Sequence, residues 1–283
     1  MEYIDLHVHS SASDGSLTPQ EVVELAKNAG LSVFALTDHD TVDGVEAAVS
    51  YANTLEGIEV IPGIELSCYY NNREIHIVGL YVDYKNQTFL DGLLKLKHAR
   101  EDRNQKMVQK FVDAGIPLTI EELKHGNPNS VITRAHFARV LVEKGVCKTK
   151  LEAFDKYLGI HCPFYLAKPQ VTPEHVLGLI KEAGGTAILA HPYSYKFNRT
   201  EVETLLDTLI PLELAGMECY YSTYDDGQTQ ELRSIALKKN LLVSGGSDFH
   251  GVVKPDISIG TGRGNLRIPK KILTAIQEYR SQS

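Results

Sequence analysis

No stretch of the chain approaches the roughly 18 consecutive apolar residues that a membrane-spanning helix requires, so a soluble protein is expected. Cysteine is sparse. Cys68, Cys147, Cys162 and Cys219 are scattered with no C-x-x-C pair, which argues against a disulfide framework or a zinc ribbon and leaves reduced packing residues. The basic, then apolar, then small-residue order of a secretory leader is missing because Glu2 and Asp5 interrupt it, which points to the cytoplasm. Positive charge is in the minority, with 29 Lys and Arg against 36 Asp and Glu. A net charge of -7 disfavours duplex DNA and anionic lipid as partners, while a local basic pocket could still hold a small phosphorylated ligand. No internal repeat or low-complexity stretch occurs, and nothing in the sequence fixes an oligomeric state.

What is present is a chain of 283 residues, 43% hydrophobic and 23% charged, the size of a single α/β barrel with a large core. Residues 2–9 set Tyr3, Asp5, His7 and His9 in alternation with Ile4, Leu6 and Val8, the period of a strand, and so place both histidines on one side. Thr18, Pro19 and Glu21 then open a helix that Gly30 closes. LSVFALTD, IEVIPGIELSCYY and REIHIVGLYVD read as further strands, with a helix at TVDGVEAAVSYANTL. Strands alternating with helices imply a mainly parallel sheet. From about Phe89 to Gly159 only helix-like segments occur, the texture of an insertion. The strand and helix rhythm resumes with TPEHVLGLIKEAGG, TAILAHP, GMECYY and LLVSGGSD, and IPKKILTAIQEYR closes the chain as a helix.

The chemistry collects at the strand ends: His7 and His9, Asp38 and His39, Glu65, His76, His191, and Asp248 with His250. Parallel barrels put active sites where each strand delivers its last residues. A lone histidine at a strand end is ordinarily a packed or capping residue, and His76 by itself says little. Joint occurrence changes the balance, because imidazoles and carboxylates converging on one face make a site for zinc, manganese or iron. The ligands outnumber the three or four that one catalytic zinc takes, and Glu65 could bridge two ions, so two or three divalent ions are implied. Paired ions lower the pKa of a bridging water and clamp both oxygens of an in-line displacement, which suits phosphate ester hydrolysis. His98, His125 and His175 have charged neighbours and read as solvated; His136 and His161 fall in the insertion.

HVHSSASDG, ALTDHDTVDG, PGIELS, AHP and GGSDFH together resemble the PHP (polymerase and histidinol phosphatase) family of metal-dependent phosphoesterases. The resemblance implies a distorted (β/α)7 TIM-like barrel at residues 1–88 and 166–283, with an inserted helical subdomain at 89–165 capping the substrate. It implies that His7, His9, Glu65 and Asp248 hold one ion, that Glu65, His76 and His191 hold a second, and that Asp14, His39 and His250 hold a third. Asp248, His191 and Glu65 would be the catalytic set, with Asp38 orienting an imidazole from behind. Asp14 stands where some members have histidine, which extends the expected metals beyond zinc to manganese, magnesium or iron.

ITRAHFARVLVEKG followed by FDKYLG is similar to the insertion of a subgroup acting on 5'-nucleoside monophosphates, 3',5'-bisphosphates or short 5'-phosphorylated oligoribonucleotides through a metal-bridging hydroxide. By that likeness Arg134 and His136 would take substrate phosphate, with Arg100, Arg103 and Lys168 as weaker candidates, since the run KHAREDRNQK usually marks a solvated helix face. Arg134 near a helix start opposes the helix dipole, a placement an anionic ligand would offset. Three other readings compete: an amidohydrolase-like C–N hydrolase, a histidinol-phosphate-type phosphatase, and a non-catalytic metal or nucleotide binding module. Against the first stands the lack of an evident bridging lysine at a mid-chain strand end; against the last, the complete ligand set.

Overall fold

The computed structural model describes residues 2–124, 132–166 and 171–282. The chain divides into two compact units, Met1–Leu90 with Val171–Ser283, and Asp91–Gln170. These divisions fall two and five residues later than the positions 88 and 165 read from the sequence.

The first unit runs β1 (Tyr3–Val8), α1 (Pro19–Asn28), β2 (Val33–Leu36), α2 (Val45–Ala52), β3 (Glu59–Tyr70) and β4 (Arg73–Leu80). The second unit carries most of α3 (Gln87–Asp113), then α4 (Ile120–Lys124), α5 (Arg134–Glu143) and α6 (Lys150–Ala153). The first unit resumes with α7 (Pro173–Glu182), β5 (Thr186–Leu189), α8 (Arg199–Leu209), β6 (Gly216–Tyr221), α9 (Asp226–Lys238), β7 (Leu242–Gly246), β8 (Ile268–Pro269) and α10 (Lys271–Gln282).

One sheet has the order β7-β6-β5-β4-β3-β2-β1-β8. Its ends meet beside the first histidines: the His7 carbonyl accepts the Asp248 N–H at 2.9 Å and the Phe249 carbonyl accepts the His9 N–H at 3.0 Å. The seven strands β1 to β7 thus form the nearly closed, distorted barrel expected of the fold, with β8 a short antiparallel addition to β1. Gly246 makes this closure possible, because a Cβ there would lie 2.1 Å from the Cβ of His7.

The parallel arrangement expected of the sheet is broken within the barrel at β4, as well as at the short β8. β4 runs antiparallel to both β3 and β5. Asn71 and Asn72 join β3 to β4 with φ of 47° and 60°, the pair of positive values that a two-residue type I′ hairpin demands. His76 therefore lies in the first half of its strand and Glu65 in the middle of a long one, where strand-end positions were expected. Because β4 is reversed, its early residues reach the face that the parallel strands reach with their ends. Glu65 pairs with Val78 and Ser67 with His76, so Glu65 and His76 project from the same side.

A second departure lies in β1. Asp5 pairs with Phe34 but Val8 pairs with Leu36, three steps along β1 against two along β2. An extra residue in one strand reverses which face each later side chain takes. Ile4 and Leu6 join the interior cluster with Ala35, Ile61 and Val78, whereas Val8 joins the layer under α1 and α2 with Val22, Val23 and Ala48. His7 and His9 thereby enter the barrel that Ile4 and Leu6 fill lower down, and Asp5 does not share their face as strict alternation predicts. Asp5 instead accepts the Ser247 and Gly260 N–H groups, each at 2.8 Å.

Sequence signals at the helix starts hold where packing does not compete. Thr18 and Glu21 form a reciprocal capping box around Pro19. Among its described residues the second unit contains helices and no strand. Its own core includes Met107, Phe111, Phe137 and Leu141, with Phe111 stacked on Phe164 at 4.1 Å between centroids.

Candidate metal centre

β1 supplies His7 and continues directly to His9. The loop beyond doubles back tightly, the Ser10 carbonyl accepting the N–H groups of Ser13 and Gly15. A Cβ on Gly15 would sit 2.8 Å from the His9 carbonyl oxygen, so only glycine fits there. This turn returns Asp14 to the site, with Oδ1 3.1 Å from His250 Nε2 and Oδ2 3.9 Å from His39 Nε2. Asp38 holds the loop in place, accepting from Ser10 N at 2.8 Å and from Ser10 Oγ and Ser13 Oγ at 2.6 Å each. Its carboxylate is engaged by serines, which corrects the expectation that it orients an imidazole.

Glu65, fully buried, is the hub. Oε2 lies 3.3 Å from His7 Nε2, 3.3 Å from His9 Nε2 and 2.9 Å from His39 Nδ1. Oε1 lies 2.8 Å from His76 Nδ1 and 3.0 Å from His191 Nε2. Asp248 completes the ring, its Oδ1 3.4 Å from His9 Nε2, while its Oδ2 is held by Tyr221 Oη and Lys254 Nζ, both at 2.6 Å. His191 and Asp248 reach inward from left-handed backbone, with φ of 27° and 56°. Such conformations cost about 1–3 kcal/mol each for non-glycine residues and concentrate at functional sites.

The donor atoms fall into four overlapping groups able to hold a metal ion: His9, Asp14, His39 and His250; His7, Glu65 and His191; His7, His9 and Asp248; and His39, Glu65 and His76. All nine predicted ligands are brought together. Relative to the partition implied by the resemblance, His9 joins the Asp14 group, and His39 reaches Glu65 as well as Asp14.

The donor set fits cations. The Nε2 atoms of His7 and His9 face each other at 3.0 Å. His7 has its Nδ1 against Glu218, so its Nε2 carries the lone pair toward His9. Buried Glu65 Oε2, His9 Nδ1 and His39 Nδ1 make no hydrogen bond, an expensive state for polar atoms unless a metal takes the lone pairs.

Burial alone would raise the carboxyl pKa of Glu65, but His39, His7 and His76 hold it well below the usual range. Asp14 and Asp248 are likewise pushed up by burial and held well below normal, by His250 and His39 for the first and by Lys254 and His250 for the second. Burial lowers His191 and His250. Burial also acts downward on His76, yet the Glu65 carboxylate outweighs it and raises that imidazole to about 9.

A pH dependence follows. In metal-free protein, the raised His76 pKa contributes stability that is fully present below about 6.5 and lost as pH rises through about 9. Metal binding needs the neutral ring and must release this proton. Stabilisation by manganese, read as the Tm difference with and without the ion, is therefore expected to grow between pH 6.5 and 9. A difference that shrinks with pH would contradict this.

Three contributors have no counterpart in the sequence reading: Glu218, Tyr221 and Lys254. Glu218 had a faint signal, a carboxylate inside the apolar strand GMECYY, since such groups are rarely buried without partners. Lys254 had none.

In the helical unit, His136 occupies the third position of α5, and its Nδ1 accepts the Thr133 N–H at 3.0 Å in a reciprocal capping arrangement. Arg134 lies over the Tyr165 ring at 5.6 Å. Arg100 and Arg103 are buried, against the solvated face suggested by their charge run, and Arg103 lies 2.9 Å from Met107 Sδ. His98 and His175 are exposed. His125 and Lys168 lie outside the described residues. No helix among the described residues is long and apolar enough to cross a membrane.

The model of the PHP domain matches residues 5–158. The chain is 32% identical over 247 residues to the 5'-3' exoribonuclease Rnm of Escherichia coli, covering 87% of this chain and 84% of that protein. It is 35% identical over 252 residues to the 3',5'-nucleoside bisphosphate phosphatase of Chromobacterium violaceum, covering 88% of each. A solved structure from Bifidobacterium adolescentis superimposes with a TM-score of 0.86 at 28% identity, covering 99% of this chain and 96% of that one. With the barrel, the reversed fourth strand and the ring of donors around Glu65 in place, the chain belongs to the PHP domain family.

Proposed function

We propose that this protein is a metal-dependent phosphoric ester hydrolase acting on nucleotides: 5'-nucleoside monophosphates, 3',5'-bisphosphates or short 5'-phosphorylated oligoribonucleotides. The observation that carries the reading is the convergence of six imidazoles and two further carboxylates, Asp14 and Asp248, around buried Glu65. Two to three ions, from zinc, manganese, iron or magnesium, would be held by His7, His9, Asp14, His39, Glu65, His76, His191, Asp248 and His250. Bound there, such ions supply an activated water and neutralise charge developing at phosphorus.

The residues of the chain do the rest. Asp14, Glu65 and Asp248 stay ionised in their positive surroundings. Lys254 and Tyr221 engage Asp248 Oδ2 and so fix which oxygen faces His9. His250 Nδ1 lies 2.9 Å from the Asp248 carbonyl oxygen, a bond that turns its Nε2 lone pair toward Asp14. Asp248, His191 and Glu65 are the proposed catalytic set. In the helical unit, the motif likeness supports Arg134 and His136 as contacts for substrate phosphate, followed by Arg103 and Lys168. A cytoplasmic site of action belongs to the same proposal.

The test is a panel of AMP, adenosine 3',5'-bisphosphate, 5'-phosphorylated short RNA, histidinol phosphate and a cyclic amide, each with manganese, zinc or magnesium. Turnover of the nucleotide substrates, lost in Asp248→Asn, is expected. Strong preference for histidinol phosphate would overturn the substrate class, and cleavage of the amide alone would overturn phosphoester chemistry.

A further inference from the structure

Glu218 is fully enclosed in β6, with about 1% of its surface exposed, at a place where β6 changes register against β7. Both carboxylate oxygens are used. Oε1 lies 2.9 Å from His7 Nδ1, and Oε2 accepts the backbone N–H of His191 at 2.8 Å. Those two residues come from different parts of the barrel, β1 and the segment just after β5, and together with Glu65 they form one of the donor groups. His7 also shares a second group with His9 and Asp248.

We infer that Glu218 is a positioning residue that fixes the His7 tautomer and the His191 backbone together, so that one buried carboxylate registers two metal ligands against each other. The inference rests on the metal-site reading above. A carboxylate at Nδ1 takes the ring N–H, which leaves the Nε2 lone pair facing the site and makes it a better donor. The second oxygen engages the amide of a residue in left-handed backbone at φ 27°, a conformation that persists only where surrounding contacts hold it.

A glutamine of equal size cannot do both. If its oxygen accepts from His7, its NH2 group meets the His191 N–H, donor against donor. If it is flipped, the NH2 group faces His7 Nδ1 and selects the tautomer with a proton on Nε2, aimed into the site.

The test compares full-length wild type and Glu218→Gln for zinc affinity by competition with a chromophoric chelator. The His7 ring is assigned by 15N-detected long-range NMR in the zinc-loaded protein. Glu218→Gln is expected to bind zinc about 10- to 100-fold more weakly. Wild-type His7 is expected to show a protonated Nδ1 and a metal-shifted Nε2. Equal zinc affinity in a folded Glu218→Gln would overturn the inference. So would a wild-type His7 ligating through Nδ1, a result that needs no variant and stands even if Glu218→Gln does not fold. If wild type bound no zinc, manganese or magnesium, the metal-site reading itself would fall, a distinguishable outcome.

Discussion

Glu65→Gln is expected to lower kcat on nucleotide phosphoesters by on the order of 10^3-fold, because charge stabilisation worth several kcal/mol is withdrawn and each 1.36 kcal/mol is tenfold in rate. Among the described residues no other side chain touches so much of the site: five imidazoles lie within 3.3 Å of its two oxygens. The amide loses the negative charge that holds those rings together and turns an NH2 donor toward ring nitrogens that must offer lone pairs. Metal content should fall with turnover, measured by elemental analysis beside steady-state rates. A variant that kept both its metal and more than a tenth of the wild-type rate would remove Glu65 from the centre of the mechanism.

Stripping the protein of divalent ions is the second large effect. The carboxylates and imidazoles stand close together with buried lone pairs left over, so ions that bind only the folded state add stability by mass action. At a thousandfold excess over Kd this is about 4 kcal/mol, or a Tm shift of roughly 10 °C for a unit of this size. Chelation should lower Tm by that amount and abolish phosphoesterase activity, and manganese should restore both. Activity that survives exhaustive chelation would contradict the proposed chemistry. An unchanged Tm would mean that the lone pairs around Glu65 are satisfied in some other way.

Much of this was legible in the residues. His7, His9, His39, Glu65, His76, His191, Asp248 and His250 could be picked out because ligand-type side chains recur at the ends of apolar runs, whereas Asp14, in a loop, came only from the resemblance to the PHP family. The helical insertion was visible because its apolar positions follow a helical period. Asp38 departs from the imidazole-orienting role that the resemblance implies, because its carboxylate is taken up by the serines of the loop after β1. The burial of Arg100 and Arg103 was not legible, since a charge run says nothing about which of its members the fold encloses.

The sequence by itself determined the inventory of donors, the alternation of strands and helices, and family membership through motifs that are local in the chain. Tertiary structure alone decided how those donors face one another. The two-asparagine turn reverses β4, so that His76 arrives from the opposite chain direction beside Glu65. The extra residue between Asp5 and Val8 turns His7 and His9 into the same interior as Ile4 and Leu6. Glu218, 211 positions from His7, acquires its role only when β6 lies beside β5 and the barrel closes β7 onto β1. Strand direction, register and long-range hydrogen bonds depend on pairing partners distant in sequence, and a one-residue slip exchanges the two faces of a strand.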